Sequence, residues 1–133
     1  FGTVYLMSKQ QKYADIIGLH TAPPLPGLME RWNSDLDLIG KEIIPENKDA
    51  IVVGDFNATT KHGALNLIDS HEDVLDFLPR FKRGTWGLSL AESFRTSIDH
   101  VYIPKDKYLV KHVELCAFDG PDHMGIFLEL AKK

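Results

Sequence analysis

The chain reads as an α/β fold, a mixed and largely antiparallel sheet with helices on one face. Three observations predict it. Short β-branched runs bounded by turn residues recur along the chain, and one long amphipathic helical pattern stands between the second and third of them. The 133 residues, 44% of them hydrophobic, supply one globular core, and residues 1–133 are expected to form a single domain without repeats or linkers.

TVYLM at 3–7 and ADIIGLH at 14–20 open the chain as apolar runs of strand length. PGLMERWNSDLDLIGKEIIP follows, in which Leu28, Trp32, Leu36, Ile39 and Ile43 recur at intervals of four, four, three and four. That spacing lays a single apolar stripe along a helix of about 17 residues, with Pro26 in its first turn and Pro45 as its stop. AIVVGD at 50–55 is the third strand, and a strand–helix–strand crossover sets it parallel to 14–20. A shorter helix is expected from Gly63 to Asp69, with Thr59 or Thr60 near its start. SIDHVYI at 97–103, LVKHVELCAF at 109–118 and GIFLELA at 125–131 are joined by short turns and read as antiparallel neighbours.

Composition narrows the function classes. A net charge of −4 and a pI near 5.8 argue against a broad electrostatic grip on nucleic acid, so a polyanion would need focused contacts or a metal. The one cysteine, Cys116, excludes an intrachain disulfide and a cysteine-based zinc cluster, and reads as a small apolar residue. No stretch approaches the roughly 18 apolar residues of a membrane span. The chain begins at Phe1 inside a strand, which predicts a soluble fragment. The cytoplasm is favoured over the cell envelope or secretion, although an upstream leader would change that.

The chemistry gathers at strand ends. Asp55 and Asn57 follow an apolar strand two positions apart, so near-extended backbone would turn both toward one site, and Gly54 keeps the approach open. Taken alone, GDFN would equally serve as a strand-ending turn. His20 ends the second strand, Asp99 opens SIDH, and Asp122 and His123 stand in GPDHMG just before the last strand. Carboxylate and amide oxygens suit a hard cation such as Mg²⁺ or Mn²⁺, and such a cation most often serves phosphoryl chemistry. Asp99 with His123 is the natural carboxylate–histidine pair, which leaves Asp122 to bind metal, because adjacent extended residues point opposite ways.

GLHTAPPLP, IVVGDFNATT, RGTW at 83–86, SIDHVYI and GPDHMGIFLEL, in that order, resemble the carboxyl-terminal half of the endonuclease/exonuclease/phosphatase superfamily, the deoxyribonuclease I-like fold. The resemblance covers nearly the whole chain. It implies half of a four-layer sandwich and divalent-metal-dependent hydrolysis of a phosphoester by an activated water. It also implies a role for each residue: His20 contacts or protonates the phosphate, Asp55 orients or deprotonates the water, and Asn57 holds phosphate oxygens. Asp99 orients His123, Asp122 ligates metal with Asp55 as a second ligand, and Trp86 is a site wall or a core aromatic. The family's Ser-Asp-His is Pro-Asp-His here, with Pro121 in the serine's place. The family's amino-terminal asparagine and glutamate are not found in residues 1–133, so this chain is expected to hold about half a site and to be inactive alone. An unpaired half would also expose an apolar sheet face and self-associate.

Two other readings are weighed against this one. A non-catalytic domain could keep the fold and bind a partner or a phosphorylated ligand, but it has no need for the whole residue set. A calcineurin-like metallophosphatase would need more metal-spaced histidines than are present. The substrate is expected to be a small phosphoester or a nucleic acid. Arg80, Lys82 and Arg83, and later Lys105, Lys107 and Lys111, read as solvated surface. His62, His71, His100 and His112 lack metal-ligand spacing, and His100 and His112 are expected at the surface or half-buried.

Overall fold

The structure is a computed structural model that describes residues 2–7, 13–120 and 122–133. Phe1 and Pro121, which both enter the expectations above, lie outside the described residues. Strands β1 (Thr3–Leu6), β2 (Ile16–His20), β3 (Ile51–Asp55), β4 (His71–Asp73) and β5 (Asp99–Pro104) form one sheet in the order β1-β2-β3-β5-β4. Only β2 and β3 run parallel in it, as the crossover predicts. Strands β6 (Tyr108–Cys116) and β7 (Gly125–Lys132) form a separate antiparallel ribbon.

The ribbon departs from the expected run of three neighbouring strands. Both edges of β5 are already taken, by β3 on one side and by β4 on the other, so β6 finds its partner in β7. Strand β4 is His-Glu-Asp, without the apolar alternation that marks a strand in sequence, and it forms because β5 offers it a ladder.

The long helical pattern also resolves differently. Helix α1 (Met29–Leu38) passes into a π-helical turn over Ile39–Ile43 and then into the single turn α2 (Ile44–Glu46). Pro45 therefore lies within this continuous helical run, which ends one residue later at Glu46. The widened turn carries buried Gly40, where a Cβ would lie 2.5 Å from Ala64 O. That space seats the 3₁₀ turn Gly63–Leu67, which replaces the expected second helix.

Alternation in the sheet separates two faces. Ile17 and Leu19 of β2, Val52 of β3 and Tyr102 of β5 pack with Trp32, Leu36, Ile39, Ile44 and Phe56 into one core beneath the helical layer. On the opposite face Ile16, Ile51, Val53 and Val101 are only half-buried, and all four residues of β1 are exposed.

His100, expected at or near the surface, is instead 1% exposed. It sits on the core side of β5 because it has two acceptors there: Nδ1 donates to Asp73 Oδ2 at 2.6 Å and Nε2 to Ala58 O at 2.8 Å. Burial alone would push its pKa down, but the hydrogen bond and charge of Asp73 outweigh that and raise it. His71 is the opposite case, also buried but facing Ser70 Oγ and Ala50 O, and burial lowers its pKa. His112 is exposed beside Glu114, as expected. Arg83, Lys105 and Lys107 pair with Asp76, Asp69 and Asp49 on the surface.

Candidate active site

Strand register carries three of the sequence-derived residues to one row. His20 on β2 stands opposite Asp55 on β3, and Asp55 stands opposite Asp99 on β5. All three follow the half-buried face, away from the helices, because they share parity with Ile16, Ile51 and Val101 along their strands. Gly54 makes the parallel pairing possible at this end: a Cβ there would lie 1.9 Å from Leu19 O.

Asn57 reaches the site by another route than extended backbone. The strand ends at Asp55, Phe56 turns fully into the core, and Asn57 adopts φ +46, the left-handed region that asparagine tolerates better than most residues. Its N–H donates to Asp55 Oδ1 at 2.8 Å, and its amide Nδ2 donates to Thr21 O at 3.2 Å. The turn thus fixes one oxygen of Asp55 and leaves the other 3.8 Å from His20 Nε2.

His123 comes from the segment between β6 and β7. Trp86 bridges to both Thr96 and His123, and Met124 N–H donates to Thr85 O at 2.7 Å, which stitches the GPDHMG loop to the start of β5. His123 Nδ1 then lies 2.9 Å from Asp99 Oδ2. A carboxylate only accepts, so Nδ1 carries the proton and Nε2 is turned to the outside of the pair. Asp122 is an exposed rim residue: Oδ2 accepts from Trp86 Nε1 at 3.1 Å, and Oδ1 lies 3.9 Å from His123 Nε2. Trp86, 43% exposed, is a wall and not a core residue.

Three positioning residues are given no role by the sequence, although Thr85 stands within RGTW. Buried Thr85 accepts at Oγ1 from the N–H groups of both Ile98 and Asp99, each at 3.1 Å. Asp35 Oδ2 accepts from Ala22 N–H at 2.9 Å, and Trp32 Nε1 donates to Asn57 O at 3.1 Å. Through these last two, helix α1 fastens the loop after His20 and the turn after Asp55 to one rigid body. Trp32 was legible only as part of the apolar stripe, and Asp35 lies on no motif.

The electrostatics follow from crowding. Burial raises the Asp55 pKa most; the Asn57 N–H opposes it, and the Asp99 charge adds to it. For His123 burial acts downward, but the hydrogen bond and charge of Asp99, with Asp55 and Asp122 behind it, leave the imidazole raised. Among the described residues, ligand atoms of Asp55, Asp99 and His123 lie within 4.8 Å of one another. Two close carboxylates, one of them with its pKa raised chiefly by burial and further by the other's charge, make a donor set that a hard cation would stabilise.

The family model described as Endonuclease/Exonuclease/phosphatase family matches residues 4–120. No curated protein sequence matches the chain. Among solved structures, the human Nocturnin catalytic domain with bound sulfate anion superposes with TM-score 0.66 at 14% identity, over 96% of this chain and 50% of that one. The D. rerio TDP2 complexed with single strand DNA product gives TM-score 0.66 at 18% identity, over 89% and 56%. An endonuclease/exonuclease/phosphatase from Bacteroides vulgatus gives 0.62 at 18% identity, over 93% and 52%. The chain thus spans about half the length of these structures, and at such identities the likeness carries the α/β fold.

Proposed function

We propose, because the chain belongs to the endonuclease/exonuclease/phosphatase family, that it is the carboxyl-terminal part of a larger domain that hydrolyses a phosphoester with an activated water. The observation that carries this reading is the meeting of Asp55, Asp99 and His123 within 4.8 Å at the ends of adjacent strands. Asp55, one oxygen held by the Asn57 N–H, orients and deprotonates the water. His123, held by Asp99, presents Nε2 to the phosphate, and His20 contacts the same group from β2. The Asn57 amide steadies a phosphate oxygen. Asp55, with Asp99 beside it and Asp122 on the rim, would hold Mg²⁺ or Mn²⁺, which would supply charge neutralisation at the phosphoryl oxygens. The substrate class is a small phosphoester or a nucleic acid. No helix among the described residues is long and apolar enough to cross a membrane.

The test uses the full-length parent protein with a generic phosphodiester, a phosphomonoester and plasmid DNA, in Mg²⁺, Mn²⁺ or chelator. Turnover of at least one substrate is expected in either metal, and chelation should lower it by about 100-fold or more. Turnover indifferent to chelator would remove the cation from the reading, and no turnover of any substrate would remove hydrolysis. For residues 1–133 alone we infer negligible activity and self-association through the half-buried sheet face and the exposed β1. Light scattering at micromolar concentration should then report a species larger than the 15.0 kDa monomer.

A further inference from the structure

Beside the row of acids lies a cavity of about 500 Å³ that the chemistry above does not use. Asn57 and His123 form its boundary with the row, so whatever fills it is joined to the group held there. Its other walls are mostly apolar and include Pro24, Met29, Trp32 and Trp86, with the His62 ring among them. Trp32 and His62 meet edge to face with centroids 5.4 Å apart, and the Asp122 carboxylate fixes the Trp86 indole. None of the lining residues is Lys, Arg, Asp or Glu.

That lining selects by charge and by shape. A second phosphate carried near the scissile one would enter a mostly apolar space with no lysine or arginine to meet it, which disfavours polyphosphorylated sugars. A flexible polar chain would gain little from ring faces, whereas a planar neutral π system stacks on them whatever its substituents. We infer that the cavity is a subsite for an uncharged planar aromatic group carried by the scissile phosphate, with a nucleobase or a simple aryl group as its two sources. The inference rests on the phosphoester reading above and narrows it to aromatic esters and nucleotides.

Three singly charged phosphodiesters distinguish the outcomes in the full-length protein: methyl esters of methyl phosphate, phenyl phosphate and thymidine monophosphate. Wild type should favour the phenyl and thymidine esters over the methyl one in kcat/KM. Met29→Glu should lower that preference about tenfold, the order of one stacking contact. The substitution places a charge in the cavity at an exposed first residue of α1, where an acid suits the helix terminus, so folding is kept. Trp86→Leu should lower the preference likewise. Preference for thymidine over phenyl assigns the base, and the reverse assigns the aryl source. Equal rates for all three esters, or a preference that neither variant lowers, would overturn the subsite. If no ester turns over, quenching of tryptophan fluorescence by thymidine monophosphate that Met29→Glu weakens still supports it. Absence of that quenching overturns it, which separates its failure from that of hydrolysis.

Discussion

Asp55→Asn in the full-length protein is expected to lower kcat on a phosphodiester by about 10³-fold, within the range of a lost general base. The change keeps size and the acceptor for the Asn57 N–H, so the turn after β3 survives and KM should move by less than the rate. It removes two things together: the basicity that takes a proton from water, and one of the charges that the raised Asp55 and His123 feel in each other. Steady-state kinetics at saturating metal make the measurement. Equal turnover by variant and wild type would sink the role given to Asp55 and, with it, the reading of the row as a hydrolytic site.

The second large effect is on stability. Asp73→Ala strips the buried His100 of its carboxylate and leaves an imidazole, 1% exposed among Phe56 and Tyr102, with Nδ1 unpartnered and the charged form no longer supported. Removing one member of a buried pair costs on the order of 3–5 kcal/mol. The hydrogen bond that the Leu75 N–H donates to Asp73 Oδ1 is also lost. Chemical denaturation should therefore show a large fall in midpoint. The sign of the pH dependence follows from the same pair. The folded pKa of His100 is raised above 6.5, so its contribution is fully present below 6.5 and is lost as pH climbs through the raised folded value. Wild type should lose this contribution on the alkaline side, and Asp73→Ala should lack that loss. An alkaline decline of equal size in both proteins would assign it to other groups.

Much of this was legible in one sequence because it depends on local periodicity. Six of the seven described strands, to within two residues at each end, the crossover and the apolar stripe through Trp32, Leu36 and Ile39 come from spacing alone, and GDFN, SIDH and PDH mark strand ends where acids have little reason to cluster. What escaped depends on partners far along the chain. His100 gives no sign that Asp73, 27 residues away, waits on β4, nor that Ala58 O completes its pair. Asp35 looks like any polar helix residue until Ala22 is folded against it. Asn57 shows a different limit. Period-two reasoning assumes extended backbone, and a single left-handed residue brought the side chain to the site by a turn that the alternation could not contain.

The row His20, Asp55, Asp99 has one further meaning. Because its members are cross-strand neighbours, their spacing is set by backbone pairing and not by side-chain reach. A slip of β3 by one residue would send Asp55 into the helix-side core and turn Val52 outward, exchanging faces along the whole strand. The folding error most natural to a sheet is therefore also the one that buries a carboxylate without a partner, at a cost of several kcal/mol. The acids of the row act as proofreaders of their own sheet: an alignment that misplaces them is for the same reason too unstable to persist.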